Sequence, residues 1–422
     1  MARPLAVPEP GRLAHLESIR GLAALQVLLL HVFSAFFPAL VFLGSEPVWA
    51  RILHGSPLFL LCDGYSAVYI FFVLSGVVLT FAFQRQLAHP AAALLSRVVR
   101  LFIPAFCACL LAAPFRLVFG DLHARAGLIT GSNWLVHAFS PPPGLAQWLK
   151  DATLNPLFLG YDNSFPFEAP GFAESINHAY VAPLWSLSIE LQGSILVFLL
   201  VLGARATRFW PVVLAALALL IFRSHFICFL AGHAIALAIQ ARQRARGSLH
   251  LPQALAVGLL VLGGFLCLQE EFGRHAEFGR LALTRAACDL SLFSLPCQAF
   301  PQKIYGAIFL FIGLAFSAPL GRVLTRPAFV ALGRLSFPIY LAHWPILMGG
   351  GSFVVVALAP GIGVALAGVA AGFLVIAATF ALARPFSRVD AFAIATARRC
   401  RALLTGPVEN RAAPEAATPA RS

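Results

Sequence analysis

Ten stretches of mostly apolar residues divide the chain, near 21–43, 64–83, 101–120, 184–203, 210–222, 225–240, 252–269, 305–319, 328–348 and 361–383. A helix needs roughly 20 such residues to cross a bilayer. The composition leaves little room for another use of them. Of 422 residues, 60% are hydrophobic and 11% charged, and the mean hydropathy is +0.85. Soluble domains carry about 25% charged residues. Two or three soluble domains of this total length would lack the charge to coat their surfaces. A β-barrel is excluded, because barrel strands alternate in segments of about 10 residues. The first stretch is too long for a cleaved signal peptide, and no small-residue cleavage site follows it. The expected fold is therefore an all-α integral membrane protein with about ten transmembrane helices. The fifth, sixth and eighth stretches are short for a crossing.

The net charge of +13 has a distribution that explains it. With the N-terminus placed inside, segments 1–20, 84–100, 204–209, 241–251, 320–327 and 384–422 carry 20 Arg against 5 acids. The outer segments, taking with them Arg116 at the outer end of the third stretch, carry 9 basic residues and 11 acids. This is the positive-inside pattern, with both termini cytoplasmic. Nucleic-acid binding is not needed to account for the charge, since the inner basic residues are scattered over short loops and tails with few aromatics among them. Two outer segments are long enough to carry function or act as lids, 121–183 and 270–304. Trp134 and Trp148 in the first read as interface anchors. Cys288 and Cys297 in the second would be able to bridge in an oxidising compartment. The cysteines show no metal-ligand spacing, and no metal is expected. Residues 1–15 read as a cytoplasmic segment, 16–390 as the membrane domain, and 391–422 as a cytoplasmic tail disordered at its end.

Ionisable groups inside spans are costly and mark candidate sites. Arg20 and His31 lie eleven residues apart, about three helical turns, so they share a face about 16 Å apart along the axis. Arg20 falls at the cytoplasmic surface and His31 near the midplane. A buried neutral imidazole there suits general-base work; a snorkelling Arg and a helix-bonded His are the plainer alternatives. Arg97 and Arg100 share a helix face at the inner mouth of the third span. They form either a phosphate-binding pair or simple orientation charge. Glu190, in the outer half of the fourth span, needs a partner there. It would orient an imidazolium, as a triad's third member does, or form a structural ion pair. The spacing does not say whether it reaches His31. His343, between Pro338 and Pro345, would contact a substrate or satisfy carbonyls freed by kinks. Asp63 opens the second span as a cap or a substrate contact. His233 reads as a packing residue. The depths suit a passage taking a phosphate-bearing donor from inside and an acceptor from outside. On residues alone, a transporter or flippase of a polar lipid or sugar fits almost as well, although no paired halves with broken helices are visible.

Five segments, in order, resemble motifs of the membrane-bound acyltransferase 3 family. "LESIRGLAALQVLLLH" resembles its opening Arg, ten residues, His pattern, here Arg20 and His31. "FFVLSG", with Ser75, is similar to its second-span signature. "RVVR" resembles its Arg-x-x-Arg, here Arg97 and Arg100. "LWSLSIE" resembles its "WSLxxE", ending at Glu190. "LGRLSFPIYLAHWPIL" is similar to its late motif, containing His343. The resemblance covers about 16–390. The chain departs from the family at Ala383, where a Glu often stands, at Tyr69, and at Phe337 in place of Tyr. The resemblance implies a multi-pass protein of the bacterial inner membrane. It would move an acyl group, most simply acetyl, from cytoplasmic acyl-CoA to a hydroxyl of an extracytoplasmic or lipid-linked glycan. His31, Glu190 and Arg20 would be catalytic, Arg97 and Arg100 would hold the donor, and His343, Asp63 and Ser75 would meet substrate. A standalone form without a fused hydrolase-like domain is expected.

Overall fold

The computed structural model describes residues 14–42, 48–54, 56–161, 174–206, 209–222, 224–245, 249–273 and 301–405. Cys288, Cys297 and the end of the tail lie outside them. The described residues are helical almost throughout, with one isolated bridge between Tyr161 and Glu174. The helices are α1 (Ala14–Phe36), α2 (Val48–His54), α3 (Gly64–Gln86), α4 (Pro90–Phe119), α5 (Leu122–Thr130), α6 (Asn133–His137), α7 (Leu145–Thr153), α8 (Trp185–Ala206) and α9 (Trp210–Ile221). They continue as α10 (Phe226–Arg244), α11 (Gln253–Gly273), α12 (Pro301–Phe316), α13 (Ala318–Leu324), α14 (Pro327–Arg334), α15 (Ser336–Pro345), α16 (Ser352–Ile362) and α17 (Val364–Thr405).

All ten apolar stretches fall on helices, but they do not all have the same capacity to cross a bilayer. Seven helices are long and apolar enough: α1, α3, α4, α8, α10, the run Ser336–Ile362 and α17. An eighth is made by α12 and α13 only if they count together, and they are bent by 82°. Trp210–Ile221 and Gln253–Leu268 are apolar but shorter. The fifth, seventh and eighth stretches are thus where the expectation of ten full crossings weakens, while the short sixth, on α10, is long and apolar enough. Backbone hydrogen bonding explains why only helices serve here, since lipid offers no partner for an open carbonyl or amide.

α17 differs most from the sequence reading. It runs unbroken for 42 residues, about 63 Å at helical rise, against a hydrocarbon core of about 30 Å. Residues 391–405, read as tail, are its continuation. Ala383, where the family pattern often has Glu, is fully buried on it.

α1 is the centre of the bundle and packs against α3, α12, α14, α15 and α17. Its buried face is built from small and medium side chains, among them Ile19, Gly21, Ala23, Ala24, Val27 and Leu28. Small residues let helices approach closely where lipid provides no hydrophobic drive between them. The closest approach joins two of the motif segments. A β-carbon on Gly21 would lie 2.6 Å from the Gly333 backbone nitrogen, and one on Gly333 would strike the Glu17 backbone. Both positions are restricted to glycine by that contact. It brings the end of α14 within reach of Arg20.

The outer segment is folded onto the bundle. α1 leaves its last carbonyls without helical partners. The Ser132 hydroxyl donates to the Ser34 carbonyl (2.6 Å) and the Thr130 hydroxyl to that of Ala35 (2.8 Å). Ser132 also accepts from the Leu135 N–H (3.1 Å), capping α6. Gly131 sits between them at φ +74, a left-handed turn that favours glycine. Further along, the buried Asp151 carboxylate accepts from the Tyr161 hydroxyl (2.6 Å), the Asn155 amide (3.2 Å) and the Tyr180 N–H (2.7 Å). Burial raises its pKa despite those donors. The Trp148 indole N–H donates to the Cys109 carbonyl of α4 (3.3 Å). Ser132→Ala is expected to lower unfolding stability by about 1–2 kcal/mol, the usual cost of losing a cap. Denaturant titration in detergent would show it, and an unchanged midpoint would rule out the clamp.

Candidate active site

α1 and α15 run in the same direction and are tied at two levels. At one, the Arg20 Nε donates to the Ser336 hydroxyl (2.8 Å), and its Nη2 donates to the Gly333 carbonyl (3.1 Å) and Glu17 (2.8 Å). At the other, His31 Nδ1 meets His343 Nε2 at 2.8 Å. Eleven residues of α1 span about 16 Å and seven of α15 about 10 Å; the length of the Arg20 side chain covers the difference. Ser336, at the start of α15, thus receives Arg20.

The two histidines define their own tautomers. His343 Nδ1 lies 3.0 Å from the Ile339 carbonyl one turn back. A carbonyl only accepts, so that nitrogen carries the hydrogen. In a neutral ring Nε2 is then an acceptor. His31 must donate to it from Nδ1, which leaves His31 Nε2 with a free lone pair. The ring planes lie within 14° and the centroids 5.0 Å apart, which fits rings joined edge to edge by this bond rather than stacked. His343 is fully buried and both its nitrogens are engaged.

Aromatic residues enclose His31. Trp134 of α6 lies parallel to its ring (5.6 Å, 12°), and Trp344 meets it edge-on (5.3 Å, 83°). Trp134 thus lies over the His31 ring, on the helix that the Ser132 and Thr130 clamp holds. Tyr340 fixes α15 from the other side. Its hydroxyl donates to the Pro183 carbonyl (2.8 Å) and pairs with the Ser186 hydroxyl (2.9 Å), just where α8 begins.

Glu190 belongs to a different network. It forms an ion pair with Arg97 and accepts from the Ser75 hydroxyl (2.6 Å). Arg97 Nε also donates to the Ser194 hydroxyl (3.1 Å). This set joins α3, α4 and α8. α4 starts at Pro90, so Arg97 lies about 10 Å along it and reaches Glu190 within the bundle. Arg100 remains exposed. Its charge is close enough to those of Arg97, Arg20, Glu190 and Asp390 to interact with all four. Three arginines from two motifs therefore converge on one region.

Asp63 stands apart from both networks. Its carboxylate caps α3 by accepting from the Ser66 N–H (3.3 Å) and hydroxyl, and it pairs with Lys303 (3.2 Å). Both partners are buried. His233 shares a hydrogen bond with Thr80 between α10 and α3 (3.0 Å). Among the described residues no three His, Cys, Asp or Glu groups are placed to hold a metal ion.

The sequence singled out His31, His343, Glu190 and the arginines. It missed Trp134, Trp344, Tyr340 and Ser194. Trp344 directly follows His343 and Ser194 lies one turn beyond Glu190, so proximity to a motif was a usable signal for both. Nothing in the sequence points Trp134 at His31, because they come together through a loop and a helix end.

A helical bundle with seven or eight candidate spans and a histidine pair inside it defines a class: a multi-pass integral membrane protein. The acyltransferase 3 family, an acyltransferase domain, matches residues 13–384. The chain belongs to that family. Neither a curated protein nor a solved structure matches it at a significant level.

Proposed function

We propose that the protein is an O-acyltransferase of the bacterial inner membrane. It takes an acyl group, most simply acetyl, from cytoplasmic acyl-CoA and passes it to a hydroxyl of an extracytoplasmic or lipid-linked glycan. The observation that carries the reading is the hydrogen-bond chain from the Ile339 carbonyl through His343 to His31. It leaves His31 Nε2 as an unprotonated acceptor beside the Trp134 and Trp344 rings. A base so fixed accepts the acceptor's hydroxyl proton as its oxygen attacks the thioester. His343 then stabilises the imidazolium and keeps the ring in place, the role of the third group in a triad.

Arg100 is the group available for the donor's phosphates, since much of Arg97 is committed to Glu190 and much of Arg20 to Ser336, Gly333 and Glu17. In this reading Glu190 and Ser75 shape the donor site through Arg97, and Asp63 is structural. Arg20 joins the two ends by holding α15 through Ser336. In this reading the start of α1 and the end of α17 lie on the cytoplasmic side, a placement the arginine bias supports.

Mass spectrometry of surface glycans with and without the gene tests the reading. Loss of one acyl mass from one glycan is the expected result and names acyl group and acceptor together. Unchanged glycans, combined with no thiol release from acetyl-CoA by the purified protein, would overturn it.

A further inference from the structure

Trp344 is 1% exposed, and its indole N–H has no hydrogen-bond partner among the described residues. A buried donor left unsatisfied is costly, and such groups are rare in folded proteins. The fold does supply a partner to an indole elsewhere, as the bond from Trp148 to the Cys109 carbonyl shows. Trp210 shares the unpaired state, but it packs against Gly203 on a helix remote from the histidines. Trp344 alone among these has a base for a neighbour. Its ring stands perpendicular to those of His31 (5.3 Å, 83°) and Trp134 (5.8 Å, 89°). An N–H directed at a ring face would be compensated only weakly.

We propose that the Trp344 indole N–H is the oxyanion donor of the reaction, a catalytic group that bonds the thioester carbonyl oxygen as it becomes negative. The inference rests on the acyl-transfer reading above. The acceptor oxygen attacks the carbonyl carbon while its proton passes to His31 Nε2. The carbonyl π pair moves onto oxygen and is held by the indole N–H, which keeps its own hydrogen. The pair then returns, the C–S bond breaks, and the thiolate leaves with the proton from His31. The products are the ester and the free CoA thiol. A donor fixed in place before the charge appears needs no reorganisation when it does, which is what makes such groups effective. Its placement on the residue next to His343 means that one short helix presents both the tautomer-fixing ring and the donor.

The test uses full-length protein in lipid vesicles, with acetyl-CoA as probe and a membrane-lipid and glycan extract as acceptor. Trp344→Phe should lower the turnover of thiol release by roughly 10²-fold, as loss of one such donor does. Acetyl-CoA affinity should stay within about twofold, given a contact made chiefly in the transition state. Replacing Trp344 by benzothienylalanine removes only the N–H and keeps the shape, so it should reproduce the loss without altering unfolding temperature. The pH profile of the residual activity should keep the wild-type midpoint, whereas a Trp344 that merely positions His31 would shift it. Near-wild-type turnover in the benzothienylalanine protein would overturn the proposal, and so would a shifted pH profile. His31→Ala in the same assay separates the two claims. If it stays active the base assignment fails, whatever Trp344 does. If it is dead while both Trp344 variants are fully active, only the oxyanion assignment fails.

Discussion

His31→Ala should cut acyl transfer by roughly 10²–10⁴-fold, the usual contribution of a positioned general base, while the protein still inserts and folds. Folding should survive because the side chain is only half-buried and its one hydrogen bond among the described residues is to His343. The sharper expectation concerns the pair. His343 acts only through His31, so His343→Ala should cost nearly as much as His31→Ala, and the double variant should be no worse than the worse single. Groups that work as a unit are grossly non-additive. Thiol release from acetyl-CoA by each purified variant measures this. Multiplicative losses would show that His343 has a separate task, such as holding the acceptor, and would remove the tautomer argument. Substantial activity in His31→Ala would remove the base itself.

Much of the site could be read from sequence, and its limits have a physical pattern. Relations along one helix were accessible. The eleven-residue spacing put Arg20 and His31 on one face, and α15 grips that face at both levels. Relations between helices were not. Glu190 and His343 both appeared as intramembrane groups in need of a partner, and helical rise gives depth without neighbours. The bundle sorted them, His343 to His31 and Glu190 to Arg97. The depth argument also failed for Arg97, because α4 begins well before its apolar stretch, so the arginine that looked peripheral reaches inward. Apolar content identified helices but overstated crossings at α9, at α11 and at the α12–α13 bend, where length and straightness matter as well as hydropathy. The roof over His31 was out of reach, since it depends on two hydroxyls finding the open carbonyls at the end of α1.

Arg97 and Arg100 are neighbours in one motif, and the structure predicts that they fail in different ways when removed. Arg97→Ala leaves the Glu190 carboxylate buried with only Ser75 as a donor. Removing one partner of a buried ion pair typically costs about 3–5 kcal/mol, against a total stability that for most proteins is about 5–15 kcal/mol. The expected phenotype is a large fall in folded yield and unfolding temperature before any kinetic effect can be measured. Removing the charge on the other side should repair part of it. Arg97→Met with Glu190→Gln should be more stable than Arg97→Met alone, because no unpaired charge remains; a double-mutant cycle gives the coupling. Arg100→Ala should do neither. Its side chain is exposed and forms no ion pair among the described residues, so stability should hold, while loss of a charge-assisted phosphate contact, worth about 1.5–3 kcal/mol, raises the apparent KM for acetyl-CoA roughly tenfold or more. Unfolding curves and donor titrations on the same samples distinguish the two. If Arg97→Ala folds normally and only weakens the donor, the pair with Glu190 is incidental and Arg97 belongs to the phosphate site. If Arg100→Ala leaves the donor KM unchanged, the converging arginines serve orientation alone, and the phosphates must bind elsewhere.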